Sequence, residues 1–354
     1  MTTFRAPLLA SGLAAGLAVL ALVAPTVPAG AGPADAGARS APTTRLDVSD
    51  LDQGAPPALV WSERRAGRTV IHSGEVTTPV ANNLTEVAPM GSGYVVQTVG
   101  NRPTTTRWIA ADGSPGRREW RTGYGLAVSP RGTTVAFSGR AGRVWTIDQE
   151  ADRVMAFAPV PIRGQGEAVS VSNDACKEGE GGNGCTIVVN GARAWYTSSH
   201  GIVDRMPHLR QASTGRGPWV GGITSISDTG TCSAMLRSWR VKWRTCDNRF
   251  SDISPDRRHV LGLPAYGDGF GPQTLDLLAT ADGSLVRSFT AARDGSSATY
   301  FDEVWEDDEH VLVVTFQAGR WAVVRLGVDG TMEYAVPPRR GSSDVRPPFQ
   351  LQTR

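Results

Sequence analysis

Residues 250–261 have the sequence FSDISPDRRHVL, and residues 301–312 repeat its pattern as FDEVWEDDEHVL. Matching positions such as His259 and His310 lie 51 residues apart. After each copy an apolar run ends in Asp-Gly, first at Asp282-Gly283 and then at Asp329-Gly330. Asp-Gly between short apolar runs predicts a tight hairpin, because glycine accepts the positive φ of such a turn. The repeat across 250–336 therefore predicts units of four short antiparallel strands.

The composition of the chain favours a closed all-β architecture. Its 354 residues include 41 Gly and 23 Pro, which fall between short apolar runs, as is typical of a turn-rich β protein. The 36 basic and 34 acidic residues nearly balance. Because no broad field of one sign results, we expect neither a nucleic acid partner nor binding to an anionic membrane.

The first 57 residues have the composition of an export signal followed by a flexible linker. Met1–Arg5 carries one basic residue, Ala6–Val23 has no charge, and Ala29–Ala31 matches the Ala-x-Ala pattern of a signal peptidase site. We predict a signal peptide over residues 1–31 that is cleaved after Ala31, with an uncleaved membrane anchor as the alternative. Residues 32–57 are predicted to be a flexible linker. The mature protein is then secreted or extracytoplasmic, with no membrane span.

Short predicted strands follow one another from residue 58 to residue 336. They group into six units and a partial one, and a period near fifty residues favours radial blades over a sandwich. We predict a seven-bladed β-propeller of four-stranded antiparallel blades over 58–336, with six blades possible, and a C-terminal tail over 337–354. The fifth unit shows only three apolar runs. Blade one also lacks a strand, and Arg45–Val48 is the predicted donor because Pro347 and Pro348 make the tail a poor ladder strand.

Two stretches carry a resemblance to a known class of propeller. They are Ile253–Leu261, which contains Ser-Pro-Asp-Arg, and Val128–Gly132, which contains Ser-Pro-Arg-Gly, each followed by a β run. These stretches resemble the blades of bacterial secreted WD-repeat-like and TolB-type propellers. The Trp-Asp and Gly-His pairs of WD repeats are missing from the corresponding positions. The resemblance implies a propeller used for binding, and it implies no catalytic residue.

The four cysteines are predicted to form two disulfides, since an exported chain lies in an oxidising compartment. If Cys232 and Cys246 flank a hairpin that turns near Trp239, they face each other across its two strands. Cys176 and Cys185 flank a glycine-rich loop, Lys177–Gly184, which a second disulfide would close at its base. A zinc site does not fit, because the sequence contains no Cys-x-x-Cys pair.

Two sets of aromatic residues are candidate binding residues. Tyr266, Asp268 and Phe270 lie in a glycine-rich loop of the sixth unit, and exposed propeller loops often bind ligands. Trp219, Trp239 and Trp243 lie among arginines, an arrangement that fits a glycan or an acidic partner as well as ordinary core packing. The arginines concerned are Arg216, Arg237, Arg240 and Arg244.

No motif of the sequence predicts a catalytic, metal or cofactor site. His259 and His310 recur at one repeat position, which favours a packing or turn role over that of a unique base. An acidic run could bind calcium, but alternate residues of a strand point apart, so a solvated blade edge is the preferred interpretation. The run consists of Asp302, Glu303, Glu306, Asp307, Asp308 and Glu309. The sequence also lacks a Gly-x-Ser-x-Gly elbow and a phosphate-binding loop.

Two functions are therefore considered. The first is an exported, non-catalytic monomer that binds a protein or glycan partner of the cell envelope or the extracellular space, through loops on one face or through the Cys176–Cys185 loop. The second is a propeller-type glycan hydrolase or lyase with its site at the central channel. The second function requires two carboxylates near the axis, which the sequence cannot place, since loops of different blades converge only in the folded chain.

Overall fold

A computed structural model describes residues 41–353, except 82, 101–103, 149–153, 175, 177–183, 268–270 and 292–298. Within these residues, every helix or strand assigned is a β-strand. The predicted signal peptide lies outside the described residues. The chain contains no helix, within the described ranges, that is long and apolar enough to cross a membrane.

The strands are numbered in chain order. The first fourteen are β1 (Thr43–Leu46), β2 (Trp61–Arg65), β3 (Arg68–Ser73), β4 (Val76–Val80), β5 (Leu84–Met90), β6 (Gly93–Thr98), β7 (Thr105–Ala110), β8 (Pro115–Val128), β9 (Thr134–Gly139), β10 (Val144–Asp148), β11 (Val154–Phe157), β12 (Glu167–Val171), β13 (Thr186–Asn190) and β14 (Ala194–Ser198). The others are β15 (Val203–Arg205), β16 (Gln211–Arg216), β17 (Trp219–Ser227), β18 (Gly230–Arg237), β19 (Arg240–Thr245), β20 (Asn248–Ile253), β21 (His259–Pro264), β22 (Thr274–Ala279), β23 (Leu285–Ala291), β24 (Thr299–Trp305), β25 (His310–Gln317), β26 (Arg320–Gly327), β27 (Met332–Arg340) and β28 (Phe349–Leu351).

These strands form six hydrogen-bonded sheets. Four have four strands, in the orders β28-β2-β3-β4, β12-β13-β14-β15, β16-β17-β18-β19 and β24-β25-β26-β27, and a fifth has the order β1-β23-β22-β21-β20. The sixth has seven strands, from β5 to β11 in sequence order. The predicted all-β class with four-stranded antiparallel units is confirmed. The predicted count of seven separate blades, with six as the alternative, is wrong, because only five sheets are separate blades.

The long strand β8 is the reason for the different count. Its first half pairs with β7, as in Thr105 opposite Arg121, and its second half pairs with β9, as in Leu126 opposite Phe137. The chain thus passes from one four-stranded unit to the next without leaving the sheet. Two glycines lie where β8 continues from one unit into the next. A Cβ on Gly123 would lie 2.0 Å from the Gly166 carbonyl oxygen, and Gly125 has a positive φ of 94°, so both positions favour glycine.

The first sheet is completed by the C-terminus of the chain. β28 pairs antiparallel with β2, and Trp61 lies opposite Leu351. The predicted donor, Arg45–Val48, is wrong: β1 pairs in parallel with β23 instead, at the edge of another sheet. Pro347 and Pro348 precede β28 and leave its ladder intact. The structure therefore places strands within both the predicted linker and the predicted tail.

The predicted three-stranded fifth unit also has a fourth strand. This strand, β16, pairs with β17. Its sequence QASTGR contains no large apolar residue, so no apolar run marks it.

Apolar clusters fill the spaces between successive four-stranded units of the described chain. Ile71 of the first sheet packs in one cluster with Val87 of β5. Val323 of β26 packs in another cluster with Leu351 of β28. Because β28 belongs to the first sheet, this cluster joins the last sheet to the first. The units therefore follow one another around a closed ring.

The turns predicted from Asp-Gly are confirmed. Gly113, Gly283 and Gly330 have positive φ values of 86°, 79° and 95°. In each turn the aspartate Oδ1 accepts a hydrogen bond from the backbone N–H two residues later, for example from Ser284 to Asp282 over 3.0 Å. These hydrogen bonds lower the pKa of each of the three aspartates.

The two Ser-Pro turns make equivalent contacts with the next unit of the ring. The N–H of Arg131 donates to Asp174 Oδ1 over 2.6 Å, and the N–H of Asp256 donates to Asp308 Oδ1 over 2.8 Å. Arg131 and Asp256 hold the same position in the two matching stretches. The repeated motif therefore marks a contact between neighbouring units as well as a turn.

Both predicted disulfides are present. Cys232 is joined to Cys246, with Cα atoms 4.0 Å apart, across the β18–β19 hairpin, in which Ser233 lies opposite Thr245. Cys176 is joined to Cys185, with Cα atoms 4.6 Å apart, between β12 and β13. The remainder of that loop, residues 177–183, lies outside the described residues. Two disulfides indicate an oxidising, extracytoplasmic location.

We expect removal of the C-terminal strand to destabilise the whole ring. Phe349 is buried between the first and last sheets, and Phe349→Ala should lower the free energy of unfolding by about 3–5 kcal/mol. Urea denaturation measures the change, with Val345→Ala as control because that side chain is 58% exposed. An unchanged denaturation midpoint after deletion of residues 349–354 would show that β28 is dispensable.

We expect the Cys232–Cys246 disulfide to stabilise the fold by about 3 kcal/mol, because its loop restricts the unfolded chain. The double substitution C232S/C246S tests this value by denaturation under non-reducing conditions. Peptide mapping without reduction should recover the Cys232–Cys246 and Cys176–Cys185 links. Recovery of a Cys185–Cys232 link would contradict the pairing.

Candidate functional site in the central cavity

A cavity of about 450 Å³ lies where seven strands come together at the centre of the ring. These inner strands are β5, the second half of β8, β12, β16, β20, β24 and β28, and each contributes lining residues. Some lining residues, such as Glu86 and Glu167, are near the starts of β5 and β12, and others, such as Asp252, are nearer the end of their strand. We call the end of the ring at which the inner strands begin the cavity face.

Bulges in the inner strands shape the cavity wall. Pairing with the next strand shifts register between Leu84 and Glu86 in β5, and between Tyr300 and Asp302 in β24. The same irregularity occurs in β8, β12, β16 and β20. A bulge redirects side chains and is common beside functional sites. The bulged residues Thr85 and Phe301 accordingly line the cavity.

Glu86 is the first of two acidic groups whose pKa is strongly raised. Its side chain keeps partial contact with the solvent of the cavity but lies inside the ring. Desolvation raises the pKa of Glu86 to about 7, and the nearby charge of Glu167 acts in the same direction. Its two carboxyl oxygens accept hydrogen bonds from the N–H groups of Gly125, over 3.1 Å, and Leu126, over 2.5 Å.

Asp302 is the second such group. Desolvation, followed by the charges of Glu303 and Glu86, raises the pKa of Asp302 to about 7. Its Oδ2 atom accepts a hydrogen bond from the N–H of Leu351 over 2.8 Å. Burial also raises the pKa of Glu303. The charge of Glu86 thus adds to desolvation in favouring the protonated form of Asp302.

The same carboxyl groups join neighbouring inner strands. Glu86 accepts from Leu126 of β8, Asp302 accepts from Leu351 of β28, and Asp252 accepts from the N–H of Trp305 of β24 over 3.0 Å. Each bond runs from one inner strand to the next. The carboxyl groups therefore help to hold the ring, and their oxygens are kept in fixed positions.

Two arginines supply positive charge to the cavity. Arg64 and Arg346 both line it, and neither forms an ion pair with another described residue. Partial burial, and then the charge of Arg346, lower the pKa of Arg64. Arg346 donates from Nη2 to the Leu84 carbonyl oxygen over 2.5 Å, whereas Arg64 Nε is buried without a hydrogen-bond partner. An anionic group in the cavity would reduce the repulsion between the two guanidinium groups.

The three tryptophans predicted to bind a partner lie on one sheet but contact different neighbours. Trp219 is buried beneath the Arg237 guanidinium, 5.4 Å from its ring centroid. Trp239 stacks on Tyr196 at 5.2 Å, and Trp243 donates from Nε1 to the Thr280 carbonyl oxygen over 2.8 Å. The structure thus gives each a packing contact, and a binding role for them stays a prediction.

Tyr266 is the most exposed of the predicted binding residues that the structure describes. Its side chain is 62% exposed and borders a surface pocket of about 570 Å³ together with Arg249 and Thr274. Its loop lies at the cavity face, since Pro264 pairs with Asn248 at the start of β20. Asp268 and Phe270 lie outside the described residues. The structure does not bring Tyr266 together with the tryptophans in one pocket of the described chain.

The two recurring histidines have local structural contacts. The His259 ring stacks on Trp305 with centroids 5.8 Å apart, and its backbone N–H donates to Ser254 Oγ over 2.9 Å. His310 Nδ1 lies 3.0 Å from the Asp307 carboxylate, and its backbone N–H donates to the same group. Both contacts fit the predicted packing and turn roles.

The preferred interpretation of the acidic run as a solvated blade edge is wrong for half of its members. Asp302 and Glu303 line the cavity, and Glu306 is buried against Arg325, with a separation of 3.0 Å between Arg325 Nη2 and Glu306 Oε1. Within the described residues, no group of three or more His, Cys, Asp or Glu side chains is arranged to hold a metal ion.

Sequence reasoning missed Glu86, Arg64 and Arg346 altogether. A usable signal was present for the acids, because Glu86 and Asp302 each interrupt a strand whose other residues include buried apolar ones. A charge at such a position indicates either an inner strand or a functional group. For the two arginines the sequence gives no comparable signal, since they lie at a strand end and in a connecting loop.

Comparisons with known proteins show a fold and no family. No protein-family model matches the chain, and no curated protein matches it. The β-propeller domain of Cps50 (Swd1) from Myceliophteria thermophila is similar in structure, with a TM-score of 0.50 and 10% identity over 78% of this chain and 89% of that one. The chain has a β-propeller fold. The resemblance to WD-repeat-like propellers fits this finding.

Two further solved structures are similar at lower scores. A functionally unknown protein from Desulfotomaculum acetoxidans has a TM-score of 0.49 and 11% identity over 83% of this chain and 99% of that one. The propeller domain of the Trilobed protease from Pyrococcus furiosus has a TM-score of 0.47 and 12% identity over 72% of this chain and 84% of that one.

The raised pKa values of Glu86 and Asp302 predict a specific pH dependence of stability. A carboxyl group whose pKa is raised in the folded state binds its proton more tightly there than in the unfolded chain. Its stabilising contribution is complete at pH values below its pKa in the unfolded chain, which is near 4. The contribution is lost as the pH rises through the pKa in the folded chain, about 7. We expect the free energy of unfolding to fall from pH 5 to pH 8 in the unmodified protein.

The variants Glu86→Gln and Asp302→Asn should each show a smaller fall over that pH range, whatever their absolute stability. The exposed Glu75→Gln provides a control. The measurement is urea denaturation at four pH values between 5 and 8. Parallel pH curves for the unmodified protein and both cavity variants would show that these groups have ordinary pKa values.

Proposed function

We propose that the protein is an exported, non-catalytic β-propeller that binds a cell-envelope or extracellular partner, a protein or a glycan, at its cavity face. In this proposal an acidic group of the partner enters the cavity and contacts Arg64 and Arg346. Hydroxyl or amide groups of the same partner form hydrogen bonds with Glu86 and Asp302. An acidic sugar or an acidic peptide side chain has this combination of groups.

The observation that carries the proposal is the arginine pair. Arg64 and Arg346 both line the cavity without an ion-pair partner among the described residues. A bound carboxylate would form charge-assisted hydrogen bonds with the accessible N–H groups of one or both guanidinium groups. The volume of about 450 Å³ is within the range of small-molecule sites and accommodates one sugar residue or one side chain.

The positions of the carboxyl groups favour binding over catalysis. Both oxygens of Glu86 and one oxygen of Asp302 accept backbone hydrogen bonds from a neighbouring strand. A nucleophile or proton donor needs a free oxygen directed at the substrate, and these contacts reduce that freedom.

A second candidate function is acid–base catalysis on a glycan. It is favoured by the raised pKa values of Glu86 and Asp302, both about 7, since a general acid works best with a pKa near the working pH. The pair could then divide the roles of acid and base, as glycosidases do with two carboxyl groups.

The export part of the proposal is supported by the two disulfides and by the signal-like sequence of residues 1–31. A bacterial origin, membership of the TolB-type propellers and a monomeric state belong to the proposal as well.

The proposal is tested with the chain over residues 32–354 and two monosaccharide probes, glucuronate and glucose. We expect calorimetry to detect glucuronate binding, with glucose weaker because it lacks the carboxylate. Arg64→Ala should weaken glucuronate binding by about tenfold or more, which corresponds to one charge-assisted contact. Arg117→Ala, which removes an exposed arginine of the outer part of β8, should change it less than twofold.

A glycan array and a pull-down from the culture of the source cells then identify the physiological partner. Equal weakening by Arg64→Ala and Arg117→Ala would contradict the cavity as the binding site. Turnover of an array glycan that Glu86→Gln or Asp302→Asn abolishes would establish the catalytic function instead.

A further inference from the structure

A second pocket at the cavity face is lined by positive charge. It has a volume of about 260 Å³ and lies where the β12–β15 sheet meets the β16–β19 sheet. Its polar lining consists of Arg193, Arg205, His208, Arg210 and Thr224. No carboxylate is among the described residues that line it. We propose that this pocket binds a tetrahedral oxyanion group, a phosphate or a sulfate carried by a larger ligand.

The three arginines reach the pocket from separate parts of the chain. Arg193 lies in the β13–β14 turn, Arg205 ends β15, and Arg210 lies just before β16. Backbone hydrogen bonds fix their relative positions: the N–H of Ala194 donates to the Arg210 carbonyl oxygen over 2.8 Å, and the N–H of Met206 donates to the Ala194 carbonyl oxygen over 3.0 Å. The folded chain therefore places these three residues around one pocket before any ligand binds.

The guanidinium groups of these arginines have no acidic partner within the described chain. Exposed arginines elsewhere do have one, as in the Arg131–Asp174 ion pair at 3.0 Å. Three like charges around one pocket repel each other, so an anion placed among them gains attraction and relieves that repulsion. The nearest aspartate in sequence, Asp204, accepts a hydrogen bond from the N–H of Arg205 and is not among the lining residues.

The position of Arg205 is further restricted by an aromatic ring. Its guanidinium carbon lies 5.6 Å from the centroid of Trp195. A cation over an aromatic face is held in place, while the N–H groups at the edge of the guanidinium plane stay available for hydrogen bonds. His208, at the rim of the pocket, has a positive φ of 65°, a backbone conformation that a histidine adopts at an energetic cost.

A tetrahedral oxyanion matches this arrangement better than a carboxylate does. Phosphate and sulfate present three or four oxygens in different directions, so three guanidinium groups around the pocket can each donate to a different oxygen. A carboxylate has two oxygens in one plane and would leave at least one arginine without a direct contact. The volume exceeds that of the anion alone, which leaves room for part of the molecule that carries it.

The test uses inorganic phosphate, sulfate and acetate as probes at low ionic strength. Each anion is titrated into the folded chain over residues 32–354 and followed through the arginine Nε–Hε resonances in NMR spectra. We expect phosphate or sulfate to shift a small set of these resonances saturably, and acetate to shift them less. Stronger binding of phosphate would indicate a phosphorylated ligand, and stronger binding of sulfate a sulfated one.

Substitutions locate the effect. Arg193→Ala and Arg210→Ala should each weaken anion binding by about tenfold, as loss of one charge-assisted contact predicts. Arg68→Ala removes an exposed arginine at another turn and should change it less than twofold. Both pocket side chains are exposed, so thermal unfolding should stay unchanged and confirm that the variants are folded.

Two results would overturn the proposal. One is the absence of a saturable shift with phosphate and with sulfate. The other is an equal loss of binding in Arg68→Ala and in the two pocket variants, which would indicate non-specific attraction to net charge. This test does not depend on any ligand of the central cavity, so its outcome and that of the proposed function remain separate.

Discussion

The pairing of β28 with β2 is the interaction on which the rest of the structure depends. It joins the last residues of the fold to the first sheet through Trp61–Leu351 and its neighbours. Without it, the first sheet would lose its inner strand, and the cluster that contains Phe349 and Leu351 would open to solvent. The cavity would also lose one wall, since Phe349 and residues 350–353 line it. Ring closure and the site therefore depend on the same short strand.

The inner strands must pair with their neighbours and must also border a cavity, and these two requirements usually conflict. A sheet gains stability from regular pairing, yet six of these strands are bulged where they border the cavity. Burying a carboxyl group is unfavourable unless it is protonated or hydrogen-bonded. In this ring the backbone N–H groups near the bulges offer such partners, as Gly125 and Leu126 do for Glu86. The distortion that opens the cavity thus also supplies the hydrogen bonds that hold acidic groups within it.

The sequence predicted those parts of the fold that depend on local chemistry. Asp-Gly turns, the Cys232–Cys246 hairpin and the alternating apolar strands follow from properties of neighbouring residues, and the structure confirms them. The strand β16 was not predicted because its residues are small or polar, so they show no alternation of large apolar side chains. Such residues suit a strand that borders a cavity. β28 and β1 were misplaced because their partners lie more than 200 residues away in sequence. No local pattern specifies such a partner.

Prediction of the site failed for a related reason. Glu86, Asp302 and Arg64 belong to three different sheets, and only ring closure brings them to one cavity. The acidic run was assigned to solvent because side chains of a regular strand alternate in direction. Asp302 and Glu303 do alternate, since Asp302 contacts Leu351 of β28 and Glu303 contacts Ser251 of β20. Both nevertheless line the cavity, because β24 is an inner strand that borders it. The position of a strand at the centre of the ring is not visible in a sequence pattern, and here it decides which charges meet.

The cavity and the arginine pocket differ in the charge that they present, although both have lining residues at the cavity face. The cavity contains acids as well as arginines, so a ligand there needs donors in addition to an anionic group. The second pocket presents only positive and neutral groups in its described lining, so the proposed oxyanion needs no additional donor group to bind there. A single inorganic anion on an exposed pocket binds weakly, because water and salt screen the charges. If one extended ligand occupies both the cavity and the arginine pocket, binding at one site raises the effective concentration of the ligand at the other. The two sites together then favour an acidic chain over a small anion.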